Sequence, residues 1–203
     1  EIRRMFVASP GKVLVDADYS QIELRLLAHI SGDKAMQEAF LSGEDFHTVT
    51  ASRVFNVPIE EVTPTLRSRA KAVNFGIVYG ISDFGLSHNT NVSMSQAKQY
   101  IQKYFERFPT IKGYLDGSVQ FAKQHGYVET LFNRRRYIPE INSSNHNVRN
   151  FGVRAAMNMP LQGTAADVMK LAMIRVAARL KAEGLQAQLI LQVHDELIVE
   201  CPQ

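Results

Sequence analysis

The sequence has little cysteine and no long hydrophobic run, and each absence excludes a class of protein. Cys201 is the only cysteine among the 203 residues, so the chain can form neither an internal disulfide nor a thiolate zinc site. A chain with a single cysteine fits a reducing cytoplasm. No apolar run approaches the roughly 18 residues that a membrane-spanning helix needs, and no signal peptide precedes the first strand. We therefore expect a cytoplasmic protein that acts without a membrane.

Repeats, low-complexity segments and flexible linkers are absent as well, which leaves an ordinary folded chain. Hydrophobic residues make up 45% of the sequence, enough for a sizeable core, and charged residues make up 21%. The net charge of +3 and the pI near 9.0 are mildly basic and suit a polyanionic partner. The sequence starts at Glu1 rather than at methionine and ends at Gln203, just after an apparent strand. We therefore expect it to be a fragment of a longer protein.

Hydrophobic periodicity predicts an α+β fold in which a sheet receives a large helical insertion. Apolar and polar residues alternate over residues 12–18, which predicts a strand, and helical spacing begins at Ile22. The later elements follow in this order: helical patterns over most of residues 34–125, a short hairpin of residues 127–130 and 136–138, a helical stretch over residues 147–183 that is interrupted at Pro160, and strands over residues 187–193 and 197–201. Three residues separate the last two strands, a length typical of a tight antiparallel hairpin.

Short polar residues and glycines mark the predicted ends of the helices. Asp33 and Ser93 are placed as N-caps, and Gln96 stands three residues after Ser93, as in a capping box. Glycines that predict helix C-termini are Gly43, Gly126 and Gly184.

Four carboxylates stand at the ends of predicted strands. Asp16 and Asp18 project from one face of the first strand, and Asp195 and Glu196 occupy the tip of the last hairpin. Adjacent like charges repel, and a divalent cation would offset that repulsion. Mg²⁺ prefers carboxylate oxygens, and two such ions can activate an attacking oxygen and stabilise a leaving one. The same spacing also suits an exposed acidic turn or a solvated strand edge, and it does not show that the two strands are neighbours.

A stripe of cations and aromatic rings recurs every four residues after Thr63. On a helix, Arg67, Lys71, Phe75 and Tyr79 lie on one face that drifts slowly around the axis. Cations suit a triphosphate, and rings suit a sugar and a base. Thr63 followed by proline predicts a helix start. The alternative reading is a solvated basic face that ends in core aromatic residues.

Three segments carry a resemblance to a known family. They are Asp18-Tyr-Ser-Gln-Ile-Glu-Leu-Arg25, then the segment from Arg67 through Lys71, Asn74-Phe75-Gly76 and Tyr79 to Gly80, and then Val193-His-Asp-Glu196. In this order and spacing they resemble the motifs of DNA polymerase family A, the DNA polymerase I family, most of all its bacterial type. The resemblance covers essentially all 203 residues.

The resemblance implies an antiparallel-sheet palm, which bears the acids, and helical fingers. Residues 1–40 and 156–203 are then palm, and residues 41–155 are fingers. It implies two Mg²⁺ ions bridged by Asp18 and Asp195, with Tyr19 lending its backbone carbonyl to one ion and Glu196 supporting the site. Asp16 departs from the family pattern, which has a small or uncharged residue there, so we treat it as a neighbour of the site.

The resemblance also assigns residues to the incoming deoxynucleotide. Glu23 matches the residue that blocks a ribose 2′-hydroxyl. Arg67, Lys71 and His47 match triphosphate contacts, and Lys71 is a candidate proton donor to the leaving pyrophosphate. The remaining assignments are Phe75 beside the sugar, Tyr79 near the template base and Gln21 in the nucleotide site.

Other residues match contacts to primer-template DNA in the family. Arg154, Asn158 and Gln162 fall near the primer-template, and His194 matches a contact to the primer end. The run from Arg134 to Arg136 can neutralise phosphates without reading sequence, and Arg136 is taken as its DNA contact. A solvated hairpin tip is the alternative for this run.

These expectations combine into a DNA-directed DNA polymerase of replication or repair that works by two-metal phosphoryl transfer. We expect a monomer at the bacterial nucleoid. One alternative is a phage-type single-subunit RNA polymerase, against which Glu23 and Glu196 argue. Others are a DNA-binding fragment that is inactive without a thumb, and a two-metal nuclease, in which the stripe from Arg67 to Tyr79 would have no evident purpose.

Overall fold

The computed structural model describes residues 2–203 and divides the chain into two units. One unit comprises the chain up to Ile22 together with Thr164–Gln203, and the other comprises Glu23–Gly163. The strands are β1 (Lys12–Asp18), β2 (Tyr127–Glu129), β3 (Arg135–Tyr137), β4 (Gln188–Val193) and β5 (Glu196–Pro202). The α-helices are α1 (Ile22–Ser31), α2 (Lys34–Leu41), α3 (Phe46–Phe55), α4 (Pro64–Val78), α5 (Asp83–Thr90), α6 (Met94–Arg107), α7 (Pro109–His125) and α8 (His146–Ala182). The α+β prediction is confirmed.

The first unit is built on a three-stranded antiparallel sheet in the order β1-β5-β4. Strand β5 lies in the centre, so the two predicted carboxylate strands are direct neighbours. Their register places Asp18 opposite Glu196 and Lys12 opposite Pro202. The sequence had left this pairing open, and the structure decides it in favour of one shared sheet edge for the acids.

The connection between β4 and β5 is one residue shorter than predicted. Glu196 pairs with Val193 and is the first residue of β5, so the loop consists of His194 and Asp195 alone. The left-handed backbone of His194, with φ of 52°, permits this tight reversal. The prediction that Glu196 lies in the loop was therefore wrong, and its side chain is buried instead of exposed at a tip.

The second unit has a helical core. Its largest fully buried side chains include Leu24, Met36, Phe46, Tyr104 and Phe108. The rings of Tyr104 and Phe108 pack in this core with centroids 4.9 Å apart.

Helix α4 begins where the sequence predicts. The Oγ1 atom of Thr63 accepts a hydrogen bond from the N–H of Leu66 at 3.3 Å, and Pro64 occupies the first turn. At the C-terminal end the N–H of Ile81 donates to the carbonyl of Gly76 at 2.8 Å. A Cβ atom on Gly76 would lie 2.6 Å from Cγ2 of Ile81, so the close approach of Ile81 to the helix end requires glycine at this position.

The other boundary predictions hold with one exception. Asp33 caps α2, Ser93 and Gln96 form the predicted capping box, and the hairpin of β2 and β3 forms within a residue of its predicted bounds. Helix α8 continues through Pro160, so the predicted interruption was wrong. Proline removes one main-chain N–H, but Ala156 and Leu161 on either side are fully buried, and their packing keeps the helix continuous.

Among the described residues, no helix combines the length and the apolar character needed to cross a membrane.

Candidate active site

In the first unit the sheet brings three of the predicted acids to one edge. Asp18 is the last residue of β1, Asp195 lies in the turn, and Glu196 opens β5. The N–H of Tyr19 donates to the backbone carbonyl of Asp195 at 2.9 Å and ties the end of β1 to the turn. This contact extends the β1–β5 pairing by one further hydrogen bond and fixes the two carboxylate segments side by side.

The electrostatics of this edge show that the acids are crowded. Burial raises the pKa of Asp18, and the neighbouring carboxylates of Asp195, Glu196 and Asp16 raise it further. Arg3 opposes the shift. A carboxyl group whose charged form is disfavoured by like charges gains most from a cation placed among them.

Arg3 is a neighbour of the site that the sequence did not suggest. Its Nη2 lies 2.7 Å from Oε1 of Glu196 and its Nη1 lies 4.0 Å from Oδ2 of Asp16. The contact with Glu196 is an ion pair without hydrogen-bond alignment, because Oε1 has no hydrogen-bond partner in the described part of the chain. Arg3 precedes the strand in an arginine pair, and no local pattern links that pair to an acid almost two hundred residues away.

The donor set at this edge fits a hard cation that keeps positions for water and phosphate. Asp18 and Asp195 offer carboxylate oxygens, and the carbonyl of Tyr19 accepts one hydrogen bond, from Ile22 at 3.1 Å, which leaves it a second lone pair. Within residues 2–203 no three His, Cys, Asp or Glu side chains form a ready metal cage. Mg²⁺ does not require one, because it is commonly held by one or two carboxylates and completed by water and substrate.

In the second unit, helix α4 carries the predicted stripe as one continuous surface. Arg67 and Lys71 are exposed on its first turns. The rings of Phe75 and Tyr79 stack at 14° with centroids 6.4 Å apart, and the Nζ of Lys71 lies 6.0 Å from the centroid of Phe75. Two cations therefore lead directly to two aligned aromatic faces.

Arg67 is held by an acid to which the sequence assigned no role. Its Nε donates to Oδ2 of Asp45 at 2.7 Å and its Nη2 donates to Oδ1 at 3.0 Å, a bidentate geometry. Burial opposes ionisation of Asp45, but hydrogen bonds from Arg67 and Thr48 outweigh it and lower the pKa to about 2. Asp45 also caps α3. Its spacing to Thr48 signals the cap, whereas the contact with Arg67 could not be predicted from local sequence.

Tyr79 and Glu23 form a second fixed pair. The phenolic O–H of Tyr79 donates to Oε2 of Glu23 at 2.8 Å. Glu23 is thereby held at the C-terminal end of α4, beside the stacked rings. The structure thus joins the residue predicted to sense the sugar to the residue predicted to lie near the template base.

His47 lies in the first turn of α3 and contacts the same helix. It is buried, and its ring lies 5.7 Å from that of Phe75. Burial lowers the pKa of His47, and Arg67 and Lys71 lower it further, against an opposing effect of Asp45. These neighbours place His47 in the electrostatic surroundings of the two cations predicted to bind triphosphate.

Four predicted DNA contacts line one cavity of 210 Å³ in the second unit. They share it with Tyr79 and with Phe151, an exposed aromatic residue that the sequence analysis missed. Of the triple arginine, Arg136 lines this cavity, whereas Arg135 pairs with Glu129 at 2.9 Å and stacks on Tyr127. The four predicted contacts are Arg136, Arg154, Asn158 and Gln162.

Two further predicted residues belong to the first unit and have unusual backbones. His194 and Gln21 adopt φ of 52° and 57°, in the left-handed region. The carbonyl of His194 accepts from Nε2 of Gln192 at 2.7 Å, and the buried Oε1 of Gln21 has no hydrogen-bond partner in the described part of the chain. Their roles toward a nucleotide or a primer stay predictions.

A comparison with known sequences finds a family whose model matches the whole chain. The sequence model of DNA polymerase family A matches residues 1–203. DNA polymerase I of Bacillus caldotenax is 58% identical over 203 residues, which are 100% of this chain and 23% of that protein. DNA polymerase I of Caldicellulosiruptor bescii is 57% identical over 201 residues, 99% of this chain and 24% of that protein. The chain therefore spans about a quarter of the length of these curated relatives.

Comparison with solved structures gives the same result for the fold. The chain is similar to the POL domain of Pol1 from M. smegmatis, in complex with DNA primer-template and dNTP, with a TM-score of 0.94 and 48% sequence identity. The match covers 100% of this chain and 36% of that chain.

Proposed function

This chain belongs to DNA polymerase family A, as its motifs predicted, and from that premise we propose that the intact protein is a DNA-directed DNA polymerase of replication or repair. The observation that carries the proposal is the register that sets Asp18 opposite Glu196 and beside Asp195 at one sheet edge. A non-catalytic DNA-binding module has no need to crowd like charges, which is costly without a compensating cation.

The first unit holds the acids of the reaction. We assign Asp18, Asp195 and the carbonyl of Tyr19 as ligands of two Mg²⁺ ions, and Glu196 as the support of this set. Bound Mg²⁺ supplies Lewis acidity, which activates the primer 3′-hydroxyl and stabilises the departing pyrophosphate. Arg3 holds the buried carboxylate of Glu196 in place. The palm, which includes this antiparallel sheet, is assigned to residues 1–40 and 156–203, a wider span than the first unit.

The second unit supplies the nucleotide contacts. Arg67, Lys71 and His47 bind the triphosphate, and Lys71 donates a proton to the pyrophosphate as it leaves. Phe75 packs on the sugar, and Glu23, fixed by Tyr79, blocks a 2′-hydroxyl. Gln21 is assigned to the nucleotide as well. Most of the catalysis is then positioning and charge stabilisation. Residues 41–155 are assigned as fingers.

Primer-template DNA and deoxynucleoside triphosphates are the proposed partners. Arg136, Arg154, Asn158 and Gln162 surround one cavity and suit a nucleic-acid strand, and His194 is assigned to the primer end. The similar POL domain was solved with primer-template and dNTP, which supports this choice. We further propose that the protein acts as a monomer, in the cytoplasm at the bacterial nucleoid.

Primer extension by the intact protein tests the proposal against its alternatives. With Mg²⁺ and a defined template, deoxynucleotides should be added in template order, and a chelator should stop the reaction. Preferential use of ribonucleotides would indicate the phage-type RNA polymerase. Primer shortening without extension would indicate a nuclease, and duplex binding without either reaction would indicate a DNA-binding module.

A further inference from the structure

Three polar side chains form a buried chain between α3 and α4. Thr50 and Asn74 are 0% exposed and His47 is 3% exposed. The Oγ1 hydroxyl of Thr50 donates to Oδ1 of Asn74 at 3.1 Å, and Nδ2 of Asn74 lies 3.0 Å from Nδ1 of His47. Buried polar groups are costly unless they are hydrogen-bonded, so a linked set of this kind is held in one arrangement.

The direction of these bonds sets the proton on the imidazole. The Thr50 hydroxyl occupies the amide oxygen, so the amide nitrogen faces His47 and donates to Nδ1. A neutral imidazole has one donor and one acceptor nitrogen. If Nδ1 accepts, the proton resides on Nε2, which has no hydrogen-bond partner in the described part of the chain.

The charges around His47 favour this neutral form. Burial lowers its pKa, and the guanidinium of Arg67 and the ammonium of Lys71 lower it further, while Asp45 opposes them. Asp45 is itself engaged by Arg67 through two hydrogen bonds. A third positive charge beside Arg67 and Lys71 is therefore disfavoured before an anion binds, whereas a neutral N–H donor is not.

We propose that Asn74, oriented by Thr50, is a positioning residue that holds His47 in the Nε2–H tautomer, so that the ring offers a donor to an anionic oxygen of the bound triphosphate. The opposite tautomer would present a lone pair to that oxygen and repel it. The tautomer itself follows from the hydrogen bonds alone. Its consequence for the triphosphate rests on the proposed function of His47.

The tautomer can be measured without any polymerase activity. Nitrogen-15 histidine NMR of the intact protein distinguishes the two neutral tautomers, and the His47→Gln spectrum identifies the signal of His47. The parent should carry its proton on Nε2. Asn74→Asp has nearly the same shape but a side chain that accepts only, so its His47 should carry a proton on Nδ1. A parent protonated on Nδ1 would overturn the proposal.

Kinetics then test whether the tautomer matters for the nucleotide. At a pH above neutrality, Asn74→Asp should raise the KM for dNTP by about ten- to a hundredfold, because a charge-assisted hydrogen bond becomes a repulsion. The increase should shrink as the pH falls, since an imidazolium has a proton on both nitrogens. The parent should show no such recovery. A KM of the parent's size in Asn74→Asp would overturn the proposal.

A double-mutant comparison separates positioning from general support of the fold. Asn74→Asp should have little further effect on KM in a His47→Ala background, because the group that it positions is gone. Thr50→Val should weaken dNTP binding more than Thr50→Ser, which keeps the hydroxyl. An equal cost of Asn74→Asp with and without His47 would show a structural role and contradict the proposal. A parent that does not extend primers would refute the proposed function, while the NMR measurement would still decide the tautomer.

Discussion

The charged and polar side chains of the two units have opposite surroundings. In the first unit, Asp18 lies among like charges, and their repulsion adds to the effect of burial in raising its pKa. In the second unit, three polar groups predicted to face the nucleotide have a protein partner: Asp45 for Arg67, Glu23 for Tyr79 and Asn74 for His47. The crowded acids would thus gain from an added cation, whereas Arg67, Tyr79 and His47 are held by protein contacts.

The two units also differ in where they bury apolar side chains. Among the described residues, two hydrophobic clusters of buried side chains lie within the second unit, and the larger one includes Leu24, Phe46 and Phe108. In the first unit, Leu197 and Met169 are buried, but the alternating residues of β4 are at most half-buried. Apart from Gln21, the residues assigned to the nucleotide therefore belong to the unit that contains these hydrophobic clusters, whereas the acids belong to the other unit.

The largest expected effect comes from the acid edge. Asp18→Asn should reduce primer extension by about a thousandfold or more, because loss of a metal-binding charge costs ~4 kcal/mol of transition-state stabilisation. Single-turnover extension measures it, with primer-template binding expected to persist. Asp16→Asn is the matched control on the same strand face and should retain most activity. Extension by Asp18→Asn at the parent's rate, with loss in Asp16→Asn, would reassign the ligand to Asp16.

The next effect concerns Phe75 on α4, which we assign to the sugar of the nucleotide. A dideoxynucleotide lacks the 3′-hydroxyl that helps to order its own phosphates, and the ring of Phe75 offers no replacement. Phe75→Tyr adds a phenolic hydroxyl one helical turn from Lys71. It should reduce the discrimination ratio against dideoxynucleotides by about ten- to a hundredfold. Competitive incorporation against the normal nucleotide measures this ratio. Equal selectivity in parent and variant would show that Phe75 does not face the sugar.

A smaller effect tests the pair formed by Glu23 and Tyr79. Glu23→Ala should raise ribonucleotide incorporation relative to deoxynucleotide incorporation by about tenfold, which corresponds to ~1.4 kcal/mol of lost discrimination. Tyr79→Phe removes the hydrogen bond but keeps the stacked ring, so it should loosen Glu23 and relax discrimination less. If Tyr79→Phe relaxes discrimination more than Glu23→Ala, then Glu23 is not the group that excludes the 2′-hydroxyl.

The smallest effect concerns stability. The pKa of Asp45 is lowered to about 2 in the folded chain, so its contribution is present above the ordinary carboxyl pKa of about 4 and is lost as the pH falls toward 2. Because the pair with Arg67 is partly exposed and screened by solvent, it is worth only about 1 kcal/mol.

Asp45→Asn keeps the helix cap and should lower the free energy of unfolding near neutral pH. The difference from the parent should vanish at low pH, as urea titrations at several pH values would reveal. Asp116→Asn breaks the exposed pair with Lys112 and serves as the control, with a smaller change. A difference for Asp45→Asn that stays constant across this pH range would contradict the ion-pair assignment.

Local sequence predicted what depends on neighbours along the chain. The alternation in β1, the capping box of Ser93 and Gln96, and the four-residue spacing on α4 all reappear in the structure. These features follow from backbone periodicity and from hydrogen bonds that close within one turn.

Features that depend on distant parts of the chain could not be predicted in this way. The contact of Arg3 with Glu196 and that of Asp45 with Arg67 join residues whose separation along the chain carries no pattern. Two local predictions also failed, one for a local reason and one for a tertiary reason. The left-handed backbone of His194 shortens the loop of the last hairpin by one residue. The packing of buried neighbours keeps helix α8 continuous at Pro160.

The most direct test of the central claim counts the cations at the acid edge. Mn²⁺ shares the preference of Mg²⁺ for oxygen ligands, and electron paramagnetic resonance reports how much of it stays unbound. In the intact protein with a dideoxy-terminated primer, its template and the matching dNTP, two Mn²⁺ ions should bind tightly per complex. Asp18→Asn should lose at least one of them, and Asp16→Asn should lose none. The same number of tightly bound ions in Asp18→Asn and in the parent would contradict the account.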